Sequence, residues 1–124
     1  MPRYLTLIRI DEQKAAAFEA DPGFEERMGA LFEEITKAGV MLETNGLKPT
    51  SEGVRVKWSG GALSLTDGPF TEAREVVGGY AMLQCKDMAE AVEWTRRFLA
   101  THPVGWEVGA EVRQFDEAPQ LPSA

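Results

Sequence analysis

The sequence predicts an α+β fold built as strand-helix-strand, a β-hairpin, then strand-helix-strand. Three observations lead there. Runs rich in β-branched and aromatic residues open and close the chain, at 3–10 and 106–115. Two segments between them repeat apolar residues at three- and four-residue spacing, the period of a helix with one face on a core. Midway, Val54-Arg55-Val56-Lys57-Trp58 and Ala62-Leu63-Ser64-Leu65-Thr66 both alternate around Ser59-Gly60-Gly61, the mark of a hairpin.

Each element has its own local reason. Arg3 to Ile10 is the first strand. Asp11 to Asp21 is polar, with a helix-compatible Ala run at 15–17. Asp21-Pro22 is read as a helix start, with Asp as cap and Pro at the first helical position. Phe24, Met28, Leu31, Phe32, Ile35 and Ala38 then form one helical face, ended by Gly39. Val40 to Glu43 is the second strand, leading to Asn45-Gly46 and Pro49. The hairpin's charged outer face places it at a sheet margin, partly exposed. Residues 67–77 form a loop. Gly79 to Lys86, the most apolar strand, is expected at the centre of the sheet. Asp87 caps the next helix, with Glu90 three residues on completing a capping-box-like pair. Met88, Ala91, Val92, Thr95, Phe98 and Leu99 give that helix its apolar face. Trp106 to Phe115 is the last strand, and residues 117–124 read as a flexible tail behind a domain of residues 1–116. The order is that of a ferredoxin-like split βαβ with an inserted hairpin.

Both helices of such a fold cover one sheet face. Alternation sets Tyr4, Thr6, Ile8 and Ile10 against Arg3, Leu5, Leu7 and Arg9 in the first strand, and Tyr80, Met82 and Gln84 against Ala81, Leu83 and Cys85 in the fifth. Apolar residues on both faces predict a second cover, supplied by another copy of the chain.

Composition narrows the function classes. The 124 residues suit one domain, and a 44% hydrophobic content supports a core. A net charge of −7 with no Lys/Arg stripe argues against a nucleic-acid partner. No signal-like segment and no apolar run of membrane-spanning length is present, so a soluble cytoplasmic protein without membrane contact is expected. Cys85 is the sole cysteine and His102 the sole histidine, so no internal disulfide and no Zn or Fe site of usual ligand spacing can form. No phosphate loop or dinucleotide fingerprint appears, and no cofactor is expected.

The most distinctive stretch is Asp67-Gly68-Pro69-Phe70-Thr71-Glu72-Ala73-Arg74-Glu75, followed by Gly79-Tyr80. It resembles the signature of the DGPF-motif branch of the YCII-related proteins, with Arg74 where Lys is usual. Ala38-Gly39-Val40, Asn45-Gly46-Leu47-Lys48-Pro49 and Glu111-Val112-Arg113-Gln114-Phe115 resemble further segments of that family. The resemblance implies a dimeric α+β barrel with pockets where the two sheets meet. It also implies a sensor or accessory role, since such proteins are often associated with extracytoplasmic-function sigma factors.

Candidate chemistry follows from these residues. Asp67 is the candidate catalytic acid or base, against the simpler reading of a turn-forming Asp. Glu72 and Arg74, with Glu75, are a ligand-binding fork, an internal salt-bridge cluster or, by default, a solvated charged loop. Arg74 in place of Lys offers a planar fork and no titratable amine. Glu111 and Arg113 lie two apart on the strand face expected to line the barrel, as ligand contacts or as an ion pair. Tyr80 is expected to bury its ring and offer its hydroxyl to the same pocket, with Glu43 nearby. Cys85 reads as a buried structural thiol. Two functions follow: binding or transformation of a small polar organic molecule at the dimer interface, or a non-catalytic sensor or accessory module.

Overall fold

A computed structural model describes residues 1–117 of the chain. Its main sheet has four antiparallel strands in the order β2-β5-β1-β6: β1 Arg3–Ile10, β2 Met41–Gly46, β5 Val76–Gln84 and β6 Gly109–Gln114. Helices α2 (Phe24–Lys37) and α3 (Met88–Leu99) cross between its strands, and a short α1 (Glu12–Ala15) follows β1. This mixed α+β arrangement is compatible with a ferredoxin-like fold. Among the described residues, no helix is long and apolar enough to cross a membrane.

The hairpin, β3 (Val54–Ser59) and β4 (Ala62–Asp67), does not join the main sheet margin. It forms its own two-stranded sheet, turned by Gly60 and Gly61 with φ of +59° and +78°. Register sets Val56 opposite Leu65 and Trp58 opposite Leu63. One ribbon face is therefore apolar, and it stands in solvent: Trp58, Leu63 and Leu65 are 69%, 68% and 71% exposed.

Boundaries moved where side chains found partners that local pattern does not reveal. Asp21 does not cap α2. Its carboxylate accepts from the Gly23 N–H at 3.0 Å and receives a two-pronged Arg27 guanidinium, while Gly23 takes the cap position. Trp106 is not in the last strand. Its ring stacks on Phe18 with centroids 5.2 Å apart and meets Phe24 edge-on, so β6 starts only at Gly109. Asp87 does cap α3, accepting from the Glu90 N–H at 2.9 Å, and Glu90 reaches back to the Lys86 N–H. Glu117 pairs with Arg3 at 2.9 Å; the rest of the expected tail, 118–124, lies outside the described residues.

The core lies between helices and sheet. Tyr4, Ile35, Val40, Leu83, Cys85 and Ala91 form it, with Phe32, Trp94 and Val112 packed against it. Helices α2 and α3 are tied at the surface by Arg97 and Glu34, and that hydrogen-bonded pairing holds the Glu34 carboxyl below its ordinary value. A lowered folded-state pKa stabilises at pH above the ordinary carboxylate range and loses that effect as pH falls through the lowered value. Glu34→Gln should therefore melt below wild type at pH 7, and calorimetry should show the gap narrowing as pH falls below the ordinary carboxylate range.

Candidate functional site

The signature loop between β4 and β5 is held by residues far away in sequence. The Gly68 N–H donates to the Gly53 carbonyl at 2.9 Å, and the Phe70 N–H donates to Thr50 Oγ1 at 3.2 Å. Thr50 opens a single 3-10 turn, Thr50–Glu52, and is itself fixed: its N–H and its hydroxyl both donate to the Glu12 carboxylate. On the other side Arg55 of β3 lies over the Phe70 ring, 4.0 Å from the centroid, and pairs with Glu72. The loop thus braces the root of the hairpin. Gly68 has no positive φ; its glycine is required by close approach, since an added Cβ would lie 1.6 Å from the Thr50 carbonyl oxygen.

The expected site residues divide into separate groups. Asp67 is exposed at the end of β4, opposite Val54 and on the apolar side of the ribbon by alternation. Glu72 belongs to the Arg55 brace. Arg74 and Glu75 line a charged cavity of about 290 Å³ with Asp11, Lys14 and Glu107. There Lys14 and Glu107 form a 2.8 Å ion pair. Glu72, Arg74 and Glu75 do not form one fork.

The remaining candidates share the sheet face that the helices leave uncovered. Cross-strand register sets two rows across β2, β5, β1 and β6: Asn45, Tyr80, Leu7, Glu111 and Glu43, Met82, Leu5, Arg113. Polar groups flank an apolar middle. On the β2 side the Tyr80 hydroxyl donates to Glu43 at 2.5 Å and accepts from the Asn45 amide at 3.0 Å. On the β6 side Glu111 takes Arg9 at 3.2 Å and Arg113 at 3.8 Å. Arg9 Nε is buried and has no hydrogen-bond partner among the described residues. The two polar groups are two strand spacings apart, about 10 Å. A proton could pass between Tyr80 and Glu43, and Arg9 and Arg113 could hold an anionic or carbonyl group. Asn45, Arg9 and Glu12 were not singled out by sequence reasoning. For Asn45 and Arg9 the signal was available in the strand alternation; for Glu12 no local signal exists, because Thr50, which donates to its carboxylate, lies far along the chain.

His102 packs between Phe24, Phe98 and Trp106, with Nδ1 3.0 Å from the Leu99 carbonyl. Those contacts give it a structural role. Cys85 is 0% exposed, and burial, with Glu90 and Asp87 nearby, pushes its thiol up to about 11. Thiolate is the reactive form. Iodoacetamide at pH 8 should therefore label native Cys85 at least about a hundredfold more slowly than the urea-unfolded chain, as read by mass spectrometry.

A small α+β domain with one helix-covered face and one polar-flanked open face is the class of protein that this fold and site define. The chain belongs to the YCII-related domain family, whose model matches residues 3–114. It is similar to an uncharacterized protein of Rhizobium meliloti (strain 1021), 26% identical over 102 residues that cover 81% of this chain and 82% of the relative.

Proposed function

We propose that this YCII-related protein, of the DGPF-motif branch, is a homodimer that binds or transforms a small polar organic molecule over the open sheet face, without metal or nucleotide cofactor. The observation that carries this reading is the arrangement of Glu43, Tyr80 and Asn45 facing Arg9, Glu111 and Arg113 across Leu5, Leu7 and Met82. The helices leave that surface bare, and a second sheet laid on it would enclose a small-molecule pocket. Tyr80 with Glu43 supplies the proton-handling pair, and the arginines supply the cationic side. The hairpin favours the dimer independently. An isolated two-stranded ribbon is only marginally stable in water, and the apolar face through Trp58, Leu63 and Leu65 gains cover from a second copy. Asp67 lies on that same ribbon face and so enters the interface in this reading.

The test is a thermal-shift screen against a library of small organic acids, amides and alcohols. Wild type should show a ligand-dependent rise, lost in Tyr80→Phe and Arg113→Ala with the dimer intact. Loss in Asp67→Asn as well would add Asp67 to the site; a retained shift there assigns it to the turn. A rise equal in Tyr80→Phe, Arg113→Ala and wild type would refute the open-face site. The second reading is a non-catalytic sensor or accessory protein linked to an extracytoplasmic-function sigma factor. The paired state of Glu72 with Arg55 and of Glu111 with Arg9 favours it. No shift with any compound in wild type would leave that reading standing.

A further inference from the structure

We infer that the helix-covered side of the sheet holds a second binding site, for a compact neutral apolar molecule carrying one hydroxyl, such as a simple phenol or cyclic alcohol. A cavity of about 430 Å³ lies between α2, α3 and the sheet, within the usual size of small-molecule sites. Its walls are apolar: Phe32, Ile35, Met41, Trp94 and Phe98 line it. Dispersion and burial there favour a ring or short hydrocarbon.

The polar chemistry inside is directional. Thr6 and Thr95 also line the cavity, and both are nearly closed off, 3% and 7% exposed. The Thr95 hydroxyl donates to the Ala91 carbonyl at 2.9 Å, because a carbonyl can only accept. Its oxygen lies 3.1 Å from Thr6 Oγ1, so the proton in that contact comes from Thr6. Both hydroxyl protons are then spent, and only acceptor lone pairs remain, two of them on Thr6. The relay can accept a hydrogen bond and offers none. A hydroxyl completes it. A carboxylate would meet lone pairs without a donor and would lose its hydration, which is strongly unfavourable. The site is thus selective for neutral donors over acids of the same shape. Asn45 and Tyr80 border both this cavity and the open face, whereas Met82, Arg9 and Arg113 do not line the cavity.

Benzene, phenol and benzoate separate these demands on one ring. The full-length protein, with 13C-labelled methionine methyls, is titrated with each. Met41 lines the cavity and Met82 lies on the open face, so the two methyls report the two sites separately. Phenol should shift Met41 and not Met82, binding several-fold more tightly than benzene, with no Met41 shift from benzoate. Thr6→Val should reduce phenol to the affinity of benzene, and Thr6→Ser should restore the preference. Ala81→Phe, which fills the cavity from the sheet, should abolish both responses. No Met41 shift with phenol in wild type, an equal response to benzoate, or a phenol preference unchanged in Thr6→Val would each overturn the inference. A phenol response at Met82 alone would overturn it too, while leaving the open-face reading intact.

Discussion

Gly68→Ala should destabilise the protein by about 3 kcal/mol, seen as a large drop in the urea midpoint with little change in slope. The added Cβ would sit 1.6 Å from the Thr50 carbonyl oxygen and 2.6 Å from its carbon. Both are backbone atoms, so no rotamer change relieves the overlap. Thr50 has little freedom to retreat, because its N–H and hydroxyl are both held by Glu12. The loop must move instead, giving up the Gly68-to-Gly53 and Phe70-to-Thr50 hydrogen bonds. Gly53→Ala is the control. Its Cβ would lie 3.4 Å from the same oxygen, and its φ of −108° suits any residue, so the cost should be a small fraction of that at Gly68. Equal midpoints for Gly68→Ala and wild type would show that the close approach does not constrain the loop.

Trp58→Asp should weaken the proposed dimer by about a hundredfold or more, the scale of losing a central aromatic anchor from an interface. Trp58 lies on the apolar ribbon face with Val56, Leu63 and Leu65, where a charge would have to be desolvated against a partner. Sedimentation at low micromolar concentration should show a dimer for wild type and a monomer for the variant. Lys57→Asp, one residue along and on the opposite ribbon face, should leave the dimer unchanged. A monomeric wild type at that concentration would sink the dimer, and a fully dimeric Trp58→Asp would remove the hairpin from its interface.

What proved legible in the chain was local. The helical period from Phe24 and from Met88, the Asp87 cap and the Ser59-Gly60-Gly61 turn all concern residues within a few positions of each other. Strand alternation separated Glu111 and Arg113 from the core without coordinates, because side chains on a strand alternate between faces. The ends of elements were less legible. Asp21 looked like a cap by its position beside Pro22, yet Arg27 and the Gly23 N–H claimed its carboxylate. Trp106 looked like a strand residue by composition, yet Phe18 and Phe24 drew it into an aromatic cluster.

The sequence by itself determined the α+β class, the order of the six strands and two long helices, and the alternation within strands, since each depends on short-range period and turn chemistry. Only the tertiary structure decided which charges meet. It sent Glu72 to Arg55, Arg74 to the Lys14–Glu107 cavity and Tyr80 to Glu43. It also detached the hairpin from the main sheet and gave Gly68 its reason, a carbonyl from Thr50 lying where a side chain would be. Such pairings depend on through-space distance after the chain has closed long loops. No spacing within one segment carries that information.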